Sequence, residues 1–199
     1  MVLPLIFLAA AAAVQEPPAR QALGRMFLSP MGEPFFGRTA GEDGLIPWFD
    51  QADVDRDGAL SADEMTADAD RFFRTLDSNH DGEIDPDEIA HYEQVIAPGI
   101  GTGTEAAAGQ FGLLQIPEPV ASADTDFNRG VSAQEFRKAA LARFHLLDVQ
   151  HTGRLTRQEL TGIREAAFSE ARRPAHKKGD PDDQAILEGD ETGDGAPPM

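Results

Sequence analysis

One twelve-residue pattern, written four times, constrains this chain more than any other feature. "DVDRDGALSADE" begins at Asp53 and "DSNHDGEIDPDE" at Asp77, 24 residues later. "DTDFNRGVSAQE" begins at Asp124 and "DVQHTGRLTRQE" at Asp148, each 71 residues after its counterpart. The copies therefore form two duplicated pairs. In each, oxygen-bearing side chains fall on alternate positions, a turn follows, and a glutamate closes the run. Such a density of like charge suits either a disordered acidic stretch or a site for a multivalent cation, and the spacing favours the cation. Alternate residues of a curled loop face inward together. A glycine at position 6 allows the sharp turn at positive φ, and the final glutamate brings two oxygens at once.

The rest of the chain bounds the reading. Its 199 residues make one domain or two small ones, and an apolar content of 41% is enough for a core. A formal net charge of −18 argues against nucleic acid or an anionic membrane surface as partner. The absence of cysteine excludes disulfides and thiolate metal sites. The five histidines have no zinc-helix spacing, and there is no GxSxG, phosphate-binding loop or HExxH.

Composition divides the chain into six segments. Residues 1–13 read as a secretory signal peptide, apolar from Val2 and ending in small residues, although without Lys or Arg. The competing reading is a membrane anchor, for which the run is short against the roughly 20 residues a spanning helix needs. Residues 14–44 are a Pro/Gly-rich arm carrying Phe27, Leu28, Met31, Phe35 and Phe36. It is expected to lie extended on the core, the alternative being a peptide that fills a helix groove. Residues 45–97 hold the first loop pair, and 98–123 a linker with the extended "LLQIPEPVAS". Residues 124–168 hold the second, degenerate pair, and 169–199 a charged, disordered tail.

The first two loops match the pattern D-x-[DN]-x-[DN]-G-x5-E and resemble those of the EF-hand calcium-binding family. The resemblance covers about half the chain and implies a mainly α fold, an array of helix-loop-helix units in two duplicated halves. It implies Ca2+ as the ligand, held by six to eight oxygens. Carried over residue by residue, the first loop offers Asp53, Asp55, Asp57, the carbonyl of Ala59, and Glu64. The second offers Asp77, Asn79, Asp81, the carbonyl of Glu83, and Glu88. The third offers Asp124, Asp126, Asn128 and Glu135, with fewer charges. The fourth keeps only Asp148 and Glu159 as acids. Affinity follows ligand charge, so the first two loops are expected to bind best, the third more weakly, and the fourth weakly or not at all. At position 6 of the third loop Arg129 replaces glycine, and Gly130 is expected to absorb part of the turn.

Position 8 is apolar in every loop (Leu60, Ile84, Val131, Leu155), as a short β-bridge between loops requires. Only Met65–Leu76 separates the first loop from the second, one helix of about 18 Å. Adjacent loops therefore sit at opposite ends of a shared helix. Antiparallel packing of the two shared helices would pair the first loop with the fourth and the second with the third. Proline at 117 and 119 leaves the third loop without an entering helix.

Three roles fit these residues. One is an exported, non-enzymatic calcium buffer or calcium-stabilised protein, periplasmic or secreted. The second is a calcium-dependent module that exposes an apolar groove to a protein partner. The third is an enzyme or enzyme accessory without a recognisable motif. Only Met65 of the five methionines lies in a shared helix, which favours the first role over a Met-rich sensor groove.

Overall fold

The helices of this chain start where the loops end, and the same residues produce both. In the computed structural model, which describes residues 24–98 and 111–171, helix α1 spans Leu45–Ala52 and α2 spans Ala62–Leu76. Helix α3 is Pro86–His91, α4 is Ala133–Leu147 and α5 is Arg157–Ala171. Ser61 caps α2, Asp85 caps α3 and Ser132 caps α4, each in a reciprocal box with the glutamate three residues on. Pro86 takes the first turn of α3, where its missing N–H costs nothing. Each of these glutamates is also position 12 of its loop.

Residues after each loop turn add short strands. These are β3 (Ala59–Ser61), β4 (Glu83–Ile84), β5 (Val131–Ser132) and β6 (Arg154–Thr156). β3 pairs with β6, Leu60 facing Leu155, and β4 pairs with β5, Ile84 facing Val131. The first loop thus joins the fourth and the second joins the third, as the spacing required. β3 precedes α2 while β6 follows α4, so α2 and α4 run antiparallel. Phe136 of α4 packs against Phe72 and Phe73 of α2, with ring centroids 6.3 and 5.7 Å apart. Arg137 reaches Asp70 at 2.6 Å beside them.

The apolar spacing of α2 buries Met65, Ala69, Phe72, Phe73 and Leu76 on one face, and that of α4 buries Phe136, Ala140, Phe144 and Leu147. Trp48 and Phe49 of α1 are buried as well. Full burial stabilises by about 1.5–3 kcal/mol for each large aliphatic or Phe side chain, so these two faces carry much of the fold.

The N-terminal arm is a hairpin. β1 (Met26–Leu28) pairs antiparallel with β2 (Pro34–Phe36). Phe27, Leu28 and Met31 enter the core, and Phe27 lies 5.3 Å from the Trp48 ring. Polar contacts fasten the turn. Tyr92 Oη donates to the Gly32 carbonyl at 2.7 Å, and Arg71 pairs with Glu33. A π-helical turn, Tyr92–Ile96, follows α3 and buries Tyr92. Burial pushes the Tyr92 hydroxyl pKa well up, since the phenolate would lose its water.

Three boundaries differ from the sequence reading. The stretch 111–123 belongs to the core, with Leu113, Val120 and Ala123 buried. It also ends in a 3-10 turn, Ala121–Ala123, that delivers the chain into the third loop. Two prolines forbid an α-helix there but leave room for one tight turn after Pro119. At the other end α5 continues through Ser169 to Ala171, past the expected start of the tail, because nothing in Ser169–Ala171 breaks a helix. Residues 1–13, read from the sequence as a signal peptide, and most of the tail lie outside the described residues.

Arg143 of α4 is 4% exposed and has no carboxylate partner among its hydrogen bonds. It donates to the carbonyls of Pro30 and Pro119, at 2.9 and 2.8 Å, and to Ser122 Oγ at 3.0 Å. Burial lowers its pKa to about 10, still charged at neutral pH. One guanidinium thereby joins the arm, the 111–123 segment and α4, supplying donors to carbonyls that water does not reach. Arg143→Met keeps the stem but leaves those acceptors unpaired. It is expected to destabilise the metal-free chain by about 2–3 kcal/mol, measured by urea unfolding in chelator. Arg137→Met, on the exposed surface, should cost less than about 1 kcal/mol.

Candidate metal centre

The first, second and fourth loops begin as the ends of α-helices. The Asp53 amide donates to the Phe49 carbonyl at 2.9 Å, and the Asp77 amide to the Phe73 carbonyl at 2.8 Å. Both aspartates are buried beside the negative end of a helix dipole, where a carboxylate is disfavoured. The loop backbone supplies the compensation. In the first loop Asp53 accepts from the amides of Asp57 and Gly58, both at 3.1 Å. Asp55 accepts from Asp57 at 3.0 Å, and Asp57 from Ala59 at 3.0 Å. The second loop repeats the scheme. Asp77 accepts from Asp81 and Gly82 at 3.1 Å, Asn79 from Asp81 at 2.9 Å, and Asp81 from Glu83 at 3.0 Å.

The closing glutamates bridge the two ends of their loops. Glu64 accepts from Val54 N at 3.0 Å with one oxygen and from Ser61 N at 2.9 Å with the other. Glu88 does the same with Ser78 N at 2.8 Å and Asp85 N at 3.1 Å, and Glu135 with Thr125 N at 3.0 Å and Ser132 N at 2.9 Å. Burial raises the Glu64 and Glu88 carboxyls, but these hydrogen bonds outweigh it and leave both below the ordinary glutamate range. In Glu135 the amide and hydroxyl of Ser132, with the Thr125 amide, lower the pKa to about 2.

The donor set fits a hard divalent cation. All inward groups are carboxylate, amide or carbonyl oxygens, without sulfur or imidazole. Carboxylate oxygens of Asp53, Asp55 and Glu64 lie within 4.8 Å of one another, and so do those of Asp124, Asp126 and Glu135. The second loop, with Asn79 in place of one acid, keeps the same hydrogen-bond scheme.

The fourth loop is different. Thr152 Oγ1 donates to the Arg154 carbonyl at 2.8 Å, so the position-5 oxygen and the position-7 carbonyl are bonded to each other. Glu159 accepts from Thr156 N and Oγ1, at 2.8 and 2.7 Å, and is half-buried. Asp148 still accepts from Thr152 N and Gly153 N, at 2.8 and 2.7 Å. The loop keeps its shape by bonding to itself.

Arg129 itself takes the left-handed turn of the third loop, at φ 81°, where Gly58, Gly82 and Gly153 have φ of 86°, 90° and 72°. The expectation that Gly130 would share the turn is wrong, since Gly130 keeps a negative φ. Gly130 instead leaves room for a neighbour: a Cβ there would stand 1.9 Å from Glu83 Oε1 of the paired second loop, a flexible side chain that would have to turn aside. Sequence reasoning also missed position 4. Arg56, His80, Phe127 and His151 all have φ between 53° and 61°, a second left-handed residue in every loop. All four side chains are exposed, Phe127 at 86%.

One contact crosses between loops. Arg154, at position 7 of the fourth loop, pairs with Asp57 of the first. This ion pair, followed by the Ala59 amide, holds the Asp57 carboxyl below its ordinary range.

The family model described as EF hand matches residues 45–67 and 69–91, the segments that carry the first and second loops. No curated protein matches the chain.

Two outcomes test the loop geometry. Glu135 is lowered on folding, so the stability it contributes is complete above the ordinary glutamate pKa and lost as pH falls through that value toward about 2. The stability difference between wild type and Glu135→Gln, both metal-free, should be constant above about pH 5 and shrink below about pH 4, measured by denaturant unfolding across pH. Arg129→Gly should stabilise the same state by about 0.5–1 kcal/mol, because glycine adopts the left-handed turn without the Cβ clash.

Proposed function

Through its EF hands at 45–67 and 69–91 this chain belongs to the EF-hand calcium-binding family, and we propose that its calcium stabilises a closed helical core instead of opening one. The observation that carries this reading is the arm. In a sensor, calcium exposes an apolar groove between helices. Here Phe27, Leu28 and Met31 of the chain's own hairpin are buried in the core with Trp48 and Tyr92. Arg71–Glu33 and Arg143–Pro30 hold the hairpin in place. Releasing it would expose large apolar side chains and take the Pro30 carbonyl from Arg143.

In this reading Asp53, Asp55, Asp57, the Ala59 carbonyl and Glu64 would hold an ion in the first loop. Asp77, Asn79, Asp81, the Glu83 carbonyl and Glu88 would hold one in the second. Calcium supplies charge neutralisation and a fixed oxygen cage, with no catalytic step. It gathers carboxylates that otherwise repel, and it binds the folded loops better than the unfolded chain, so it adds stability by mass action. The buffer and structural roles are one binding event seen from two sides. The apolar leader supports export to the periplasm or the exterior. There calcium is near millimolar, and sites with dissociation constants of about 10⁻⁴–10⁻³ M would be filled.

Calcium titration calorimetry with thermal unfolding tests this. Binding is expected at the first two loops, with Glu64→Gln and Glu88→Gln each removing one site. The melting temperature should rise with calcium while binding of a dye specific for apolar surface stays flat. At a hundredfold excess over the dissociation constant, one site adds about 2.7 kcal/mol. A calcium-dependent rise in dye binding would favour the sensor role and overturn this one.

A further inference from the structure

We propose that Arg154 is a built-in competitor of calcium at the first loop, a cation lent by the fourth loop that lowers the first loop's affinity. The proposal rests on calcium binding by the first loop and goes beyond it by assigning a regulator outside the ligand set.

Strand register makes the contact. Arg154 faces Ser61 across the β3–β6 ladder, so position 7 of one loop lies beside position 9 of its partner. The second ladder has the same register, Glu83 facing Ser132. There too the position-7 side chain crosses, and the Glu83 carboxylate lies against Gly130 of the third loop. Position 7 is thus the place from which one loop sets the charge of another. The four-carboxylate first loop receives a positive group, and the poorer third loop receives a negative one.

The fourth loop frees Arg154 for this role. Thr152, standing where the other loops carry Asp or Asn, fixes the Arg154 backbone through its hydroxyl, which accepts from Arg154 N at 3.3 Å and donates to Arg154 O at 2.8 Å. The guanidinium extends to Asp57 Oδ2, while Asp57 Oδ1 accepts from Ala59 N at 3.0 Å. Both oxygens of the first loop's position-5 ligand are therefore engaged. The same guanidinium also feels the charges of Asp55 and Glu64. An arriving calcium ion either displaces Arg154 or shares a carboxylate with it, and two cations on one carboxylate repel. Either route weakens binding. The pair is about half exposed on the arginine side, so water and salt screen it and the effect is modest.

The test is a calcium titration of the full chain by NMR, following the Gly58 and Gly82 amides as separate reporters of the first and second loops. Arg154→Ala should tighten binding at Gly58 by about two- to fivefold and leave Gly82 unchanged. Arg154→Gln, which keeps most of the stem, should act in the same direction. Arg137→Ala removes the same net charge at the exposed Asp70 pair and should move neither site. The gain at Gly58 should shrink in high salt. In wild type the Arg154 side-chain Nε–H resonance should shift along the Gly58 binding curve. Unchanged or weaker binding at Gly58 in a folded Arg154 variant, or an equal gain in Arg137→Ala, would overturn the proposal. A wild-type chain in which Gly58 does not respond to calcium would instead remove the premise, and the two failures are distinguishable.

Discussion

Leu60 facing Leu155 and Ile84 facing Val131 are the contacts on which the rest of the structure depends. A single helix between consecutive loops leaves each loop at the wrong end to meet its sequence neighbour. Only the other half of the chain offers a partner. Once the two ladders form, α2 and α4 must run antiparallel, and their phenylalanines must meet. A two-stranded ribbon of two or three residues is marginal alone. Here each is fixed at both ends by a helix that it starts or follows. The ladders and the helix faces therefore stabilise one another, and neither is an independent unit.

The closing glutamates link this framework to the ion. Each caps a helix, spans the mouth of a loop and carries oxygens that suit a cation. The N-cap partner fixes the side chain before any metal arrives. Such preorganisation reduces the ordering that binding must otherwise impose. The entering aspartates, set against helix C-termini, each take two backbone amides to offset that position, and a cation there would offset it further.

Much of this was legible in the residues. Four copies at fixed offsets gave the loops. Apolar position 8 with a short shared helix gave their pairing. Of the first loop's ligand candidates, Asp53, Asp55 and Glu64 lie in one cluster, while Asp57 is paired with Arg154. Other features were hidden for identifiable reasons. Gly130 looked like a relocated turn glycine, but its missing side chain makes room for Glu83, a contact set by strand register between residues far apart in the chain. The left-handed position 4 leaves no composition signal, because Arg, His and Phe all occupy it here. Arg143 resembled any helical arginine on an amphipathic pattern. That it lies buried follows only from where the arm and the 111–123 segment happen to pass.

The fourth loop shows how little the two requirements of such a unit overlap. Its ligand set is thin, and Thr152 spends its hydroxyl on the Arg154 backbone. Yet Gly153 keeps the turn and Leu155 stays buried opposite Leu60. Were this loop to unfold, β3 would lose its hydrogen-bonding partner and Leu60 its cover, directly beside the carbonyl and serine of the first site. A loop poor in ligands is therefore still part of the neighbouring metal centre, because it holds the strand that positions Ala59 and Ser61. Arg154 extends the same logic from shape to charge. What a loop gives up in its own ligands it can exert on its partner, through whichever side chain the ladder register carries across.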